Sequence, residues 1–193
     1  MVNPGRGRGS RDLLNLPNAL TYFRIAAVPV VLVALVPPVS PRAFHLVFFT
    51  CLAALVTDYL DGILARRKHL ETPIGKLLDP LADKLLVLAV FIMLIPLGKV
   101  PAWMVFLIVG RELIITGLRS IAASQGIILK ASVLGKNKMI FQSLAMLCLV
   151  AFVPSFQRLL DTLGTICLWI SLGLGYLSAG VYFFYFLREI KSR

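Results

Sequence analysis

Residues 58–84 read DYLDGILARRKHLETPIGKLLDPLADK. Four aspartates, Asp58, Asp61, Asp79 and Asp83, stand here in segments otherwise rich in Leu, Ile and Ala. The spacings 58/61 and 79/83 each put a pair on one face of a helix, with Cβ atoms about 5–6 Å apart. The link HLETP is short and polar, so the two helices are expected to be antiparallel neighbours whose faces gather four carboxylates. Crowded carboxylates repel one another and resist desolvation, so something positive has to hold them. A salt-bridge network with nearby Arg and Lys is one solution. Divalent metal fits better, because carboxylate oxygens are the preferred ligands of Mg²⁺, Mn²⁺ and Ca²⁺. Two ions sharing bridging carboxylates can clamp a phosphoryl group during in-line displacement. The neighbours suit phosphate: Gly62 and Ala65 clear space beside Asp61, Arg66 offers a guanidinium, and Gly75 clears space one turn before Asp79.

The surroundings of this stretch are those of a membrane. Of 193 residues, 59% are hydrophobic and 15% charged, with mean hydropathy +0.88. A spanning helix needs about 20 mostly apolar residues, which leaves room for about six. One integral all-α membrane domain is expected over residues 13–193. Before it, residues 1–12, MVNPGRGRGSRD, have no apolar core and no cleavage site, and read as a disordered basic arm rather than a signal peptide. Residues 10–18 are expected to lie along the membrane interface as a short N-terminal segment. Spans are expected at 19–37, 42–68, 74–96, 101–124, 134–153 and 160–188. Pro29 falls inside the first, where a membrane helix tolerates it.

With the N-terminus in the cytosol, Arg42, Lys99 and Arg158 fall on the far side and the other 17 of the 20 Lys and Arg fall on the cytosolic side. Basic residues accumulate in cytoplasmic loops, so this split places both termini and the aspartate cluster at the cytosolic face. The net charge of +11 is then explained by topology and anionic headgroups rather than by nucleic acid. Cys51, Cys148 and Cys167 lie in apolar runs without CxxC spacing and read as small buried hydrophobes. His45 and His69 have no partner at ligand spacing, and Trp103, Tyr176, Tyr182 and Tyr185 read as packing residues or interface anchors.

As a pattern the opening stretch is D-x2-D-G-x2-A-R-x8-G-x3-D-x3-D, and Asp58, Asp61, Gly62, Ala65, Arg66, Gly75, Asp79 and Asp83 fill every fixed position. It resembles the signature of the CDP-alcohol phosphotransferases. The resemblance implies six transmembrane helices around a polar cavity open to the cytosol, a homodimer, and two Mg²⁺ or Mn²⁺ ions per site. It implies transfer of a substituted phosphate from a CDP-linked donor to an alcohol, with release of CMP. By position, Asp58 and Asp79 touch both metals, Asp61 the first and Asp83 the second. Asp83 is also the general base for the acceptor hydroxyl. Gly62, Arg66 and Thr72 fall to the donor. So do Asn18 and Thr21, which with Pro17 match the family's N-terminal P-N-x2-[ST]-like element, and Arg24 continues that face.

The acceptor has to be read elsewhere. GRELIITGLRS carries Arg111, Glu112, Thr116 and Arg119, and LGKNKMIFQS carries Lys136, Lys138 and Gln142. Glu112 and Arg119 fall nearly in line on a helix, which suggests an ion pair. The remaining cations then suit an acceptor that carries its own phosphate, with Arg111, Arg119 and Lys136 as its ligands. These segments, with NLPNALTYFR, resemble the members that join CDP-diacylglycerol to sn-glycerol 3-phosphate, the phosphatidylglycerophosphate synthases, which implies a bacterial plasma membrane. Inositol phosphate or phosphatidylglycerol as acceptor would use the same chemistry. A small cation transporter would spread its acids through the membrane or show an inverted repeat. Here four of the nine acids crowd one stretch. A binding protein without catalysis is disfavoured by the intact Asp83.

Overall fold

The computed structural model describes the backbone of residues 16–68, 73–127 and 132–191, and the side chains of 22–57, 81–82, 84–127 and 132–191. Among these residues the protein is all-helical: α1 (Leu16–Ala34), α2 (Pro41–Lys68), α3 (Pro73–Leu94), α4 (Ala102–Ser124), α5 (Val133–Val150), a 3-10 turn (Pro154–Phe156) and α6 (Gln157–Lys191). Among the described residues two helices are long and apolar enough to cross a membrane, α5 and the continuous Pro154–Lys191. α6 alone has 35 residues, a length of about 52 Å.

The helices fall within a few residues of the bounds expected for them, and the differences have local causes. α1 begins at Leu16, so Leu16–Asn18 are helical and continuous with the helix expected from residue 19; Pro17 suits a first turn, where its missing N–H costs nothing. The helix runs on through Pro29 and stops at Ala34, before Pro37 and Pro38. α3 ends at Leu94 because Gly98, at φ +69°, allows a left-handed cap. There the Gly98 N–H bonds the Ile95 carbonyl at 3.0 Å and the Lys99 N–H the Leu94 carbonyl at 3.2 Å. α4 closes in the same way over Gly126, and Ile127 then packs with Ala122 and Phe186. Residues 1–15, including the basic arm, lie outside the described residues.

The chain divides into two compact units, residues 1–90 and 91–193, the division falling inside α3. In the first, α1 packs on α2. Arg24, Ala27 and Val31 form the buried stripe of α1, and Phe44, Val47, Cys51 and Ala54 that of α2, each at helical spacing. Ser40 caps α2, its Oγ accepting the Ala43 N–H at 3.3 Å, with Pro41 at the first helical position. Thr50 turns its hydroxyl back to the Leu46 carbonyl at 2.8 Å, so that hydroxyl is paired within its own helix.

In the second unit α4, α5 and α6 form a bundle. Contacts from α4 and its entry advance along α6 in step: Lys99 meets Asp161, Arg111 meets Gly175 and Arg119 meets Tyr182. These two helices are therefore parallel. Contacts from α5 run the other way, with Leu149 beside Gly164, the Lys138 carbonyl at Ser171 and Ser132 at Ser178. The buried stripe of α6 includes Gly164, Cys167, Ser171, Gly175 and Ser178. Small residues let two membrane helices approach closely where lipid offers no hydrophobic drive to pair them. A Cβ on Gly164 would stand 2.6 Å from Leu149 Cγ, which measures how close that approach is. Outward, Phe106, Leu113, Ile114 and Phe184 are well exposed, an apolar exterior suited to lipid.

Candidate active site

The backbone places the aspartate signature on two consecutive helices. Asp58, Asp61, Gly62, Ala65 and Arg66 lie on α2, and Gly75, Asp79 and Asp83 on α3. Both are helical throughout these positions, so each aspartate pair shares one face of its helix by register. α3 resumes at Pro73, so four residues separate the helices. Asn18 and Thr21 lie on α1, in the two turns preceding Arg24. The side chains of these signature and donor-site residues, and all of His69 and Thr72, lie outside the described residues. Among the described residues no three acids, histidines or cysteines gather. Arg24 does carry a described side chain: it is 1% exposed in the stripe of α1 and is engaged in polar interaction, as a buried guanidinium must be.

The second polar constellation lies among the described side chains. Arg111 and Glu112 on α4 and Lys138 on α5 are each more than nine-tenths buried. Arg111 Nη1 donates to Glu112 Oε1 at 2.9 Å, and Lys138 Nζ donates to the same oxygen. Arg111 Nε donates to the Gly175 carbonyl at 3.1 Å, and Ser171 Oγ donates to the Lys138 carbonyl at 3.2 Å. A Cβ on Gly175 would be 3.7 Å from Arg111 Nε and 3.6 Å from Lys138 Cγ, so both cations lie close along α6 here. The triad is one carboxylate between two cations, tying three helices together.

The Glu112–Arg119 pair expected from helical spacing does not form. Glu112 turns to Arg111 and Lys138, and Arg119 turns to α6. Its Nη2 donates to Tyr182 Oη at 2.8 Å and its guanidinium carbon sits 5.0 Å from the Tyr182 ring centroid. Tyr182 Oη also accepts the Ser132 N–H at 2.9 Å. Ser132 is the N-cap of α5, its Oγ accepting the Gly135 N–H at 3.1 Å and standing 2.8 Å from Ser178 Oγ. Lys136 is exposed on the first turn of α5. Arg119 and Lys136 thus flank one end of the bundle, while Arg111 lies deeper within it.

Three residues escaped sequence reading: Tyr182, Ser132 and Ser178. The available signal was Ser178 and Tyr182 four apart on one face of α6. Tyr182 had been expected as a packing residue or anchor, and it is 5% exposed with two donors on its oxygen. Trp103 stacks in tilted fashion on Trp169, centroids 5.5 Å apart, and Tyr176 Oη donates to the Leu107 carbonyl at 3.2 Å. Near the start of α6, Asp161 accepts from Lys99 Nζ at 2.6 Å and Gln157 Nε2 at 3.1 Å. His45 is exposed, and the three cysteines are free thiols, Cys51 and Cys167 buried.

Comparison with known proteins agrees with the signature. The family model for CDP-alcohol phosphatidyltransferase matches residues 14–177. A Bacillus subtilis (strain 168) protein named CDP-diacylglycerol–glycerol-3-phosphate 3-phosphatidyltransferase is 35% identical over 182 residues, covering 89% of this chain and 94% of the relative. A protein of the same name from Rickettsia bellii is 39% identical over 170 residues, covering 88% of this chain and 93% of the relative. A rice protein named cardiolipin synthase (CMP-forming) is 38% identical over 188 residues, covering 88% of this chain and 56% of that longer relative. The match takes in every position of the aspartate signature as well as the Arg111–Glu112–Lys138 triad, and the chain belongs to the CDP-alcohol phosphatidyltransferase family.

Proposed function

We propose that this chain transfers the phosphatidyl group from CDP-diacylglycerol to sn-glycerol 3-phosphate, giving phosphatidylglycerophosphate and CMP. The observation that carries the reading is the complete aspartate signature on α2 and α3 in a chain whose relatives, over most of their length, are named for this reaction. In this reading six spanning helices enclose a polar cavity open to the cytoplasm, with both termini on that side of the plasma membrane, as the 17 to 3 division of basic residues supports. A homodimer is part of the same reading.

Four carboxylates paired by register on consecutive helices form an all-oxygen donor set, which suits two Mg²⁺ or Mn²⁺ ions. Asp58 and Asp79 would be shared between the ions, Asp61 would serve the first and Asp83 the second. When bound, these ions supply positive charge against the diphosphate and the departing CMP. Asn18, Thr21, Gly62, Arg66 and Thr72 bind the CDP-diacylglycerol headgroup. The apolar helix faces leave its acyl chains in lipid. Asp83 takes the proton of the glycerol 1-hydroxyl. That oxygen bonds to the phosphorus bearing diacylglycerol, and the bond to CMP breaks. Arg119 and Lys136, both exposed, bind the acceptor phosphate, and Arg111 adds its charge from within the triad.

The rice relative favours one second reading, with phosphatidylglycerol as acceptor. Purified protein in detergent with Mg²⁺ and CDP-diacylglycerol separates the two by CMP release. Glycerol 3-phosphate, phosphatidylglycerol, inositol 1-phosphate and serine are added in turn, with Asp83→Asn as control. Release with glycerol 3-phosphate alone, lost in the control, is the expected result. Release only with another acceptor refutes the assignment of the acceptor. No release with any of them refutes the reaction.

A further inference from the structure

Tyr182 has more hydrogen-bonding capacity than the bundle uses. A phenol oxygen has two lone pairs and one O–H. Both lone pairs are occupied, one by Arg119 Nη2 at 2.8 Å and one by the Ser132 N–H at 2.9 Å. Among the described residues no acceptor takes the O–H. Two donors on one oxygen, one of them cationic, polarise that O–H and strengthen it as a donor. What surrounds it is suited to an anion. Arg119 and Lys136 are exposed cations, and the first turn of α5 carries no acid. On these three helices Glu112, deeper in the bundle, is committed to Arg111 and Lys138, Asp161 to Lys99, and Glu189, seven residues beyond Tyr182 on α6, is itself engaged.

From this geometry we infer that Tyr182 is a ligand of the acceptor's phosphate, donating its O–H to a phosphate oxygen that Arg119 and Lys136 also bind. The inference rests on the proposed reading that the acceptor carries a phosphate. One residue then has three tasks at once. Its O–H reads the phosphate, one lone pair orients the guanidinium that binds beside it, and the other fastens the N-cap of α5, whose first turn presents Lys136. The cation–π contact at 5.0 Å holds Arg119 over the ring in the same pose. An acceptor without phosphate, such as glycerol, offers this O–H no charged acceptor, so Tyr182 contributes to selection between the two.

The test is Tyr182→Phe in the full-length protein in detergent. It keeps the ring and its contact with Arg119 and removes the hydroxyl. The expected result is a rise of about ten- to hundredfold in KM for glycerol 3-phosphate, the loss that follows removal of one hydrogen bond to a charged group. KM for CDP-diacylglycerol should stay within about twofold. Ser178→Ala, which removes the Ser132–Ser178 contact and leaves the O–H, should leave both constants unchanged. An unchanged KM for glycerol 3-phosphate in Tyr182→Phe overturns the inference. So does a rise in both constants with a fall in thermal stability, because the hydroxyl would then serve only the fold. If wild-type protein releases no CMP with glycerol 3-phosphate, the functional reading fails on its own. Calorimetric titration with inorganic phosphate then decides the site: weaker binding to Tyr182→Phe than to wild type supports it, and equal or absent binding overturns it.

Discussion

Glu112→Gln is expected to be a severe single change in the second unit. Arg111, Glu112 and Lys138 are 8%, 7% and 6% exposed, and both cations donate to one oxygen of Glu112. Removing that charge leaves two buried cations facing a neutral amide. Arg111 keeps its bond to the Gly175 carbonyl at 3.1 Å, so it cannot swing out without giving up a second contact. Removing one partner of a buried ion pair costs about 3–5 kcal/mol, because the remaining charge is left uncompensated. For a chain of this size that corresponds to a fall of about 6–20 °C in Tm. The assay is thermal unfolding in detergent, followed by the near-ultraviolet signal of the aromatic residues on α4 and α6. Glu112→Gln with Lys138→Met removes one stranded cation and should regain at least half of the loss. A Glu112→Gln protein that melts within about 2 °C of wild type would refute the claim that this triad holds three helices together.

Gly164→Ala should destabilise by about 1–3 kcal/mol, since its Cβ meets Leu149 Cγ at 2.6 Å and Cδ2 at 2.9 Å and Leu149 is itself 1% exposed. Gly98→Ala meets no atom within 4 Å, so its cost of about 1–2 kcal/mol is backbone strain at φ +69° alone. Gly98→Asn should cost less, because Asn tolerates that conformation, and the ordering of the two in a melting experiment is the check. Chelation with EDTA should abolish CMP release, with Mg²⁺ or Mn²⁺ restoring it; activity that survives thorough chelation would contradict the carboxylate donor set. Asp83→Asn should lower kcat by about a hundred- to ten-thousandfold, the range for loss of a positioned base.

The aspartate helices were legible because their information is local. A spacing of three or four fixes which residues share a helix face, and no distant partner is needed to say so. The helix ends were legible to within a few residues for the same reason: Pro37, Pro154 and the glycines at 98 and 126 act on their own neighbours. The Glu112 partnership was not legible. Helical periodicity puts Arg119 in line with Glu112, but the carboxylate is met by Lys138, 26 residues away, and by the adjacent Arg111. Arg119 is claimed by Tyr182, 63 residues away. A single sequence gives the number of charges but not which helix brings the nearer one. Tyr182 was read as a packing residue or interface anchor, and it is buried; what the sequence did not show is the arrival of two donors at its oxygen, from Arg119 and Ser132, 63 and 50 residues away.

One stripe of α6 therefore serves two ends. Near its start Gly164 admits α5 to close contact, and near its finish Ser178 and Tyr182 meet the N-cap of α5. Gly164 and Tyr182 stand about 27 Å apart along the helix. In lipid the helices gain little from apolar contact alone, so close approach and polar pairs have to hold them. If packing at Gly164 and polar contact at Tyr182 were one cooperative structure, a clash at the first would loosen the second, and Gly164→Ala would raise KM for the acceptor along with lowering Tm. The Arg111–Glu112–Lys138 triad lies between them, bonded to α6 at Gly175 and Ser171, and clamps the bundle midway. Strain introduced at Gly164 should stop at that clamp. Gly164→Ala is thus expected to melt earlier with its acceptor KM intact, and the same substitution made in a Glu112→Gln background should disturb both.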